Sequence, residues 1–426
     1  MNKESISSKP YAWVPSLYLA EALPYVAVMV IATTMYKRLG LSNTDLALYT
    51  SWLYLPWVIK PLWSPFIAAV KTERWWVLLM QLLIGAGFAG IAFTLPTAFW
   101  LQGSLAFFWI LAFASATHDI AADGLYILGL STHDQSLYVG IRSTFYRIGN
   151  IVGQGLLVML AGWLEKSQTI SLAWSISFFV LAGAFIALWM WHNVALPKPK
   201  SSTTREEGVS SNLLNDFWLA LKTFFTKPHI FTALLFMLLF RFPEGQLVKI
   251  ANPFLLDTAE AGGLALSTEA VGFVYGTIGI IGLTIGGLLG GWCVSRHGLK
   301  RWLWPMVLSI SLPDLVYVYL AFDLPSTFLI VNICVFIEQF GYGFGFTAYM
   351  LYLIYYSRGN YKTSHYALCT AFMALSMMIP GLFAGALQEA VGYKNFFLIV
   401  IAFCSVTFAV TSLLKIDPSF GKKEQP

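Results

Sequence analysis

Apolar stretches of about 20 residues or more recur from one end of this chain to the other, each long enough to cross a bilayer. In hydrocarbon a backbone has to satisfy its own hydrogen bonds, so such a stretch folds as a helix. The chain is 58% hydrophobic and 11% charged. Soluble domains carry about 25% charged residues, so a soluble globular fold is excluded. Cys293, Cys334, Cys369 and Cys404 all lie in apolar segments without CxxC spacing and read as small hydrophobes. The first apolar run, Tyr11 to about Tyr36, is too long for a signal-peptide core and lacks a small-residue cleavage site.

Twelve spans are expected, near 11–36, 45–70, 75–95, 103–127, 139–164, 171–194, 229–256, 269–295, 302–321, 326–356, 364–391 and 395–416. Several are long and carry Pro or Gly, which predicts tilt and kinks. Lysine and arginine placement orients them. With both termini in the cytoplasm, seventeen of the 26 fall in inside loops and tails. Four fall outside (Lys37, Arg38, Lys166, Lys394) and five within spans (Lys60, Arg142, Arg147, Arg241, Lys249). That asymmetry follows the positive-inside rule. The net charge of +5 then reflects topology, and no nucleic-acid partner is needed.

Residues 195–228 differ from the rest. They open as the polar run Leu-Pro-Lys-Pro-Lys-Ser-Ser-Thr-Thr-Arg-Glu-Glu and continue into a pattern expected to form an amphipathic surface helix. The predicted domains are therefore a six-helix bundle over 1–194, a cytoplasmic linker over 195–228 and a second six-helix bundle over 229–426. The halves resemble each other. Leu41-Ser42-Asn-Thr-Asp45 aligns with Leu266-Ser267-Thr-Glu269, and Ser136-Leu-Tyr138 with Ser364-His-Tyr366, at offsets of 225 and 228 residues.

Eleven charged side chains interrupt the spans. Each costs at least about 2.5–3.5 kcal/mol to insert, so intramembrane charges are candidate functional groups. Glu21 and Lys60 fall near mid-span and are a candidate pair, either lining a solute cavity or tying two helices together. Asp119 and Asp123 lie four apart on one helix face, opposite Arg142 and Arg147 on the next span. They are expected to act in proton coupling or gating, or as an ionic latch. His118, next to Asp119, points to a different side. Arg241-Phe-Pro243-Glu244-Gly245 should break the seventh span, as the discontinuous helices of transporter sites do, with Lys249 two turns on. Arg241 or Lys249 is expected to contact solute, and Glu244 to share in binding and proton coupling. Glu338 is a candidate cavity acid. Asp314, after Pro313, reads as a kink or packing feature. Tyr25, Trp52 and Tyr146 are deep enough to stack on a ring. The pocket is expected among Glu21, Lys60, Arg241, Glu244 and Glu338, with 118–147 forming a gate toward the cytoplasmic end. No Walker A sequence, zinc-protease motif or Ser/His/Asp set is present, so an ion gradient is the expected energy source and no enzyme, cofactor or metal site is predicted.

Parallel six-span repeats joined by a cytoplasmic linker resemble the plan of the major facilitator superfamily. Gly286-Gly-Leu-Leu-Gly-Gly-Trp-Cys-Val-Ser-Arg296-His-Gly-Leu-Lys-Arg301 is similar to its signature between the second and third spans of a half, without the usual aspartate. Val58-Ile-Lys60-Pro61-Leu62-Trp63-Ser64-Pro65, Thr117-His118-Asp119-Ile-Ala-Ala-Asp123-Gly124, Tyr146-Arg147-Ile-Gly149 and Phe336-Ile-Glu338-Gln339-Phe-Gly341 resemble motifs of the AmpG-type muropeptide permeases. Those share a branch with the acetyl-coenzyme A transporters. His118 stands where the permease pattern carries glutamine, and the longer permeases add spans after the twelfth.

The resemblance implies an all-α integral membrane protein, with two six-helix bundles related by a pseudo-twofold axis. It implies a proton symporter of the bacterial inner membrane. By rocker-switch alternating access this would import an anionic cell-wall fragment, a muropeptide or amino-sugar. The other readings are a transporter of another anion, such as acetyl-coenzyme A or a glycan fragment, and more remotely a membrane sensor or acyltransferase. Lys60, Asp119, Asp123, Arg147 and Glu338 fall on the family's motif positions. The expected partners are the anionic solute, protons and the bilayer, with the chain a monomer.

Overall fold

The computed structural model describes residues 9–130, 132–198, 213–359 and 361–421. All regular structure among them is helical. Ten helices are long and apolar enough to cross a membrane. They are Pro10–Arg38, Glu73–Thr94, Trp100–Gly129, Gly140–Leu164, Ile170–Ala195, Ile230–Leu256, Thr268–His297, Leu299–Asp323, Phe328–Ser357 and Lys362–Ser412.

Two differences reconcile these ten with the expected twelve spans. The second span is not one helix. It runs as Asn43–Trp52, Leu55–Ile59, a 3-10 turn Lys60–Leu62, and Ser64–Val70. Pro56, Pro61 and Pro65 each remove a backbone donor, which explains the fragmentation. The eleventh and twelfth spans are fused in the 51-residue element Lys362–Ser412, which turns at Gly392 (φ 74°, ψ 165°). A positive φ of this kind suits glycine, and here it stands in for a loop.

Prolines and wider turns set the local shape elsewhere. Pro24 lies inside the first helix, which passes into a π-helical turn at Ala27–Ile31. The fifth span has a π-helical stretch at Ile151–Leu157 and the eighth one at Val274–Gly279. Such turns are frequent at functional sites. The seventh span breaks where its sequence suggests. Ile230–Leu239 ends, Arg241 adopts φ −99° and ψ 15°, and Phe242–Leu256 begins with Pro243 in its first turn. Pro313 breaks the ninth span in the same way, through a 3-10 turn at Leu312–Asp314.

The described residues fall into two compact units, one within Met1–Met35 and Ile59–Asn215, the other within Tyr36–Val58 and Asp216–Pro426. In the first, Trp13, Val14, Leu17 and Tyr18 pack with Val77, Ala121, Ala122 and Leu125. In the second, Phe236, Phe240, Tyr349 and Tyr352 form an aromatic core, with Phe240 and Tyr349 stacked at 5.4 Å.

The Asn43–Trp52 helix belongs to the second unit, where it lies against Lys362–Ser412. A Cβ on Gly385 would stand 1.9 Å from the Asn43 carbonyl oxygen, so only glycine permits the approach. Asn43 donates to Gln388 at 2.6 Å and to Tyr393 at 2.9 Å. Lys37 pairs with Asp257 at 2.7 Å.

Part of the expected linker, residues 199–212, lies outside the described residues, as do Lys3, Lys200, Arg205, Lys422 and Lys423. Beyond it a helix spans Leu213–Phe225. Phe224 is buried and stacks on Phe372 at 6.1 Å, while Trp218 and Phe225 stay exposed.

Candidate functional site

The first unit gathers five of the span charges. Asp119 and Asp123 stand one turn apart on Trp100–Gly129 and share a face. Lys60, carried by the 3-10 turn of the second span, forms an ion pair with Asp119. Arg142 pairs with Asp123 at 2.8 Å. Tyr18 donates its hydroxyl to the same Asp123 oxygen at 3.0 Å. The Arg142 guanidinium lies 4.4 Å from the Tyr18 ring centre and 5.4 Å from that of Tyr126, a double cation–π contact. Glu21 is buried within electrostatic reach of Lys60, Asp119, Asp123 and Arg142. Its Oε2 receives no hydrogen bond. Tyr25 and Tyr146 are half-buried beside this group.

Three expectations change here. Lys60 pairs with Asp119, not Glu21. Arg147 makes no ion pair among the described residues. Arg142 and Arg147 are five residues apart, about 140° around a helix, so only one of them faces the acids. Glu21 and Lys60 were expected in a pocket apart from the 118–147 group, yet they belong to one cluster with Asp119, Asp123 and Arg142.

His118 faces elsewhere, into a buried polar chain with no signature in the sequence. Gln81 Nε2 lies 3.1 Å from His118 Nε2, and Gln81 Oε1 lies 2.9 Å from His192 Nδ1. His192 Nε2 lies 2.9 Å from Ser16 Oγ. His118, Gln81 and His192 are fully buried. This chain ties the first, third, fourth and sixth spans together, which is a packing role.

The second unit holds the remaining acids. Glu244, Asp314 and Glu338 come from three different spans, and one oxygen from each lies within 4.8 Å of the others. All three are buried, at 6%, 4% and 3% exposure. The Glu338 oxygens accept from Gln339 Nε2 at 3.1 and 3.0 Å, and Oε2 also accepts from the Tyr317 hydroxyl at 3.4 Å. The Tyr317 and Tyr275 hydroxyls are hydrogen-bonded to each other. Asp314 faces the Cys404 thiol at 3.9 Å. Asp314 sits at the helix break after Pro313, as the sequence suggests, and its carboxylate also lies near the other two. Arg241 is within electrostatic reach of Glu244. Its guanidinium also bonds the Tyr342 hydroxyl and lies 4.7 Å from the Phe346 ring centre.

Lys249 stands apart from these acids. It follows Glu244 by five residues on the same helix, again about 140° around. Only 1% exposed, it donates to Thr50 Oγ1 at 2.9 Å and lies 5.0 Å from the Tyr54 ring centre. A Cβ on Gly381 would stand 2.5 Å from Ser51 Oγ, so glycine there lets the helix carrying Ser51 approach closely. No carboxylate pairs with Lys249 among the described residues. A buried ammonium without a counter-charge is costly, and an incoming anion relieves that cost. Trp52, a candidate for ring stacking, is 43% exposed.

A cavity of about 560 Å³ opens in the first unit between Trp63, Trp76, Trp109, Phe113 and their neighbours. Its lining is apolar and includes none of the span charges, so it does not belong to the candidate site.

The profile described as Major Facilitator Superfamily matches residues 16–362. The Rickettsia conorii protein named AmpG 4 is 26% identical over 392 residues, covering 88% of this chain and 89% of its own. The Escherichia coli anhydromuropeptide permease is 24% identical, covering 87% of this chain and 73% of its own. Among solved structures, the D-xylose–proton symporter superposes with a TM-score of 0.73 at 12% identity, covering 97% of this chain and 99% of its own. That likeness carries the fold alone. The relatives are named as transporters, and by its profile match over residues 16–362 and this fold the chain belongs to the Major Facilitator Superfamily.

Proposed function

We propose that this transporter imports an anionic cell-wall fragment, a muropeptide or amino-sugar, in symport with protons and by alternating access. The observation that carries the reading is Lys249, a fully buried ammonium with a hydroxyl and an aromatic ring for company and, among the described residues, no acid. A cation kept in that state suits a carboxylate arriving with the solute. Arg241, held by Tyr342 and Phe346, is the second cation of the same unit. The similarity to the E. coli anhydromuropeptide permease supports the cell-wall class of solute.

In the first unit, Asp119, Asp123, Lys60 and Arg142 serve as the proton-responsive latch. Protonating either aspartate removes one side of an ion pair and frees its partner, which links proton occupancy to helix movement. Glu21 supplies a further acid beside that latch, and Tyr25, Tyr146 and Arg147 border the solute. Lysine and arginine placement supports a cytoplasmic-membrane protein with both termini in the cytoplasm.

The test is uptake of a labelled anhydromuropeptide into proteoliposomes of the full chain. Accumulation should depend on an inward proton gradient and collapse with a protonophore. Absence of uptake at any gradient would remove the reading.

A further inference from the structure

The three acids of the second unit pose a problem that the transport reading does not solve. If all were ionised, Glu244, Asp314 and Glu338 would place three negative charges in a nearly solvent-free site. Among the described residues, Arg241 is the cation in electrostatic reach of Glu244. Lys249, turned away on its helix, interacts with Thr50 and Tyr54 instead. Buried carboxylates without counter-charge are not sustained in a low-dielectric interior. Something else neutralises them.

We propose that Glu244, Asp314 and Glu338 bind a hard metal cation. Three observations support this. First, the acids come from three separate spans, and their oxygens converge to within 4.8 Å of one another. A central ion about 2.3–2.6 Å from each oxygen fits that spacing. Second, the recorded hydrogen bonds of the group run outward. Glu338 is held by Gln339 and Tyr317, and Asp314 by Cys404. Third, Glu244 Oε2 is buried and receives no hydrogen bond at all. A buried carboxylate oxygen left bare beside two other acids is a vacant ligand atom.

The donors are carboxylate oxygens, which select hard cations such as sodium, calcium or magnesium over soft ones. With Arg241 counted, one divalent ion neutralises the group, as does one sodium ion together with one proton. Helix breaks adjoin two of the acids: Glu244 lies in the first turn of the helix that restarts after Arg241, and Asp314 in the 3-10 turn at Pro313. The charged and titratable groups around it are Arg241, Tyr275, Tyr317 and Cys404. The site is internal to one unit and does not depend on the identity of the solute.

The experiment is thermal unfolding of the full-length protein in detergent at pH 8, at constant ionic strength. Choline chloride is replaced stepwise by sodium, potassium, calcium or magnesium chloride. Saturable stabilisation of a few degrees by sodium, calcium or magnesium is expected, and which salt acts identifies the ion. The isosteric Glu244→Gln and Asp314→Asn variants should weaken the apparent affinity at least about tenfold, as loss of one ligand charge does. Glu260→Gln, at an exposed acid of the same unit, should keep the full response and controls for general salt effects. Two results overturn the proposal: no cation-specific shift in the unsubstituted protein, or a shift that persists unchanged in both cluster variants. Stabilisation by lower pH in choline alone, with no metal effect, would assign the charge balance to protons and also overturn it. Because no solute is present, failure here leaves the transport reading standing, and failure of muropeptide uptake leaves this site standing.

Discussion

The two units handle buried charge in opposite ways. In the first, each aspartate of the fourth span has its own base, Lys60 for Asp119 and Arg142 for Asp123. In the second, three span acids converge within reach of Arg241, while Lys249 sits away from them against Thr50 and Tyr54. The cause is helical geometry. Asp119 and Asp123 are four residues apart and face one way, so bases from neighbouring spans reach both. Glu244 and Lys249 are five apart and face different ways, so one helix sends its acid to one place and its base to another. Paired charge resists change until a proton or a movement breaks it. Segregated charge stays available to ligands of both signs.

The largest expected effect lies in the paired unit. Asp119→Asn leaves Lys60 charged without its partner and should destabilise the protein by about 3–5 kcal/mol. Adding Lys60→Met to it should recover much of that loss in the same detergent melt. Equal stability of the single and double variants would show that the pair is not what holds these spans.

Lys249→Met sharpens the comparison from the other side. It removes a charge that has no counter-ion among the described residues, so the melting temperature should hold or rise. Binding of an anionic solute should nonetheless weaken by about 2–5 kcal/mol, the cost of losing one partner of a buried charged contact. A destabilised protein with undiminished uptake would mean that Lys249 is structural.

Arg142→Gln should cost less than Asp119→Asn. The Arg142–Asp123 side chains are 31% and 40% exposed, against 23% for each partner of the Lys60–Asp119 pair. About 1–2 kcal/mol is expected, from the pair and the contact with Tyr18 together, again read by thermal unfolding. Arg147→Gln should shift stability by no more than about 0.5 kcal/mol, since no ion pair is lost. A larger shift would reveal a partner for Arg147 and weaken its assignment to the solute.

Much of the fold was legible in the sequence because hydrocarbon imposes a strict length and composition on each span. The second span was not legible in detail. Hydropathy sees its apolar run, whereas Pro56, Pro61 and Pro65 divide the backbone. The junction of the last two spans was blurred for the opposite reason, since a single residue, Gly392, replaces a loop. The charged residues were individually legible because each is expensive in a bilayer. Their pairings were not, because pairing depends on how helices are rotated against each other. The choice of Arg142 over Arg147 was within reach of the sequence, through the angle between them. The choice of Asp119 over Glu21 for Lys60 was not, because Lys60 sits on a 3-10 turn whose direction only the tertiary structure fixes. The proximity of Asp314 to Glu244 and Glu338 was not legible either, because a proline beside an acid reads first as a kink.

The central claim is that the second unit keeps a cation unpaired so that it can take an anion from the solute. The most direct test is the affinity of the detergent-solubilised protein for an anhydromuropeptide with free carboxylates and for its carboxyl-amidated counterpart. The account predicts that amidation weakens binding at least about tenfold, or 1.4 kcal/mol, and that the difference disappears in Lys249→Met. Equal affinity for the two compounds, or a difference that survives in Lys249→Met, would contradict it.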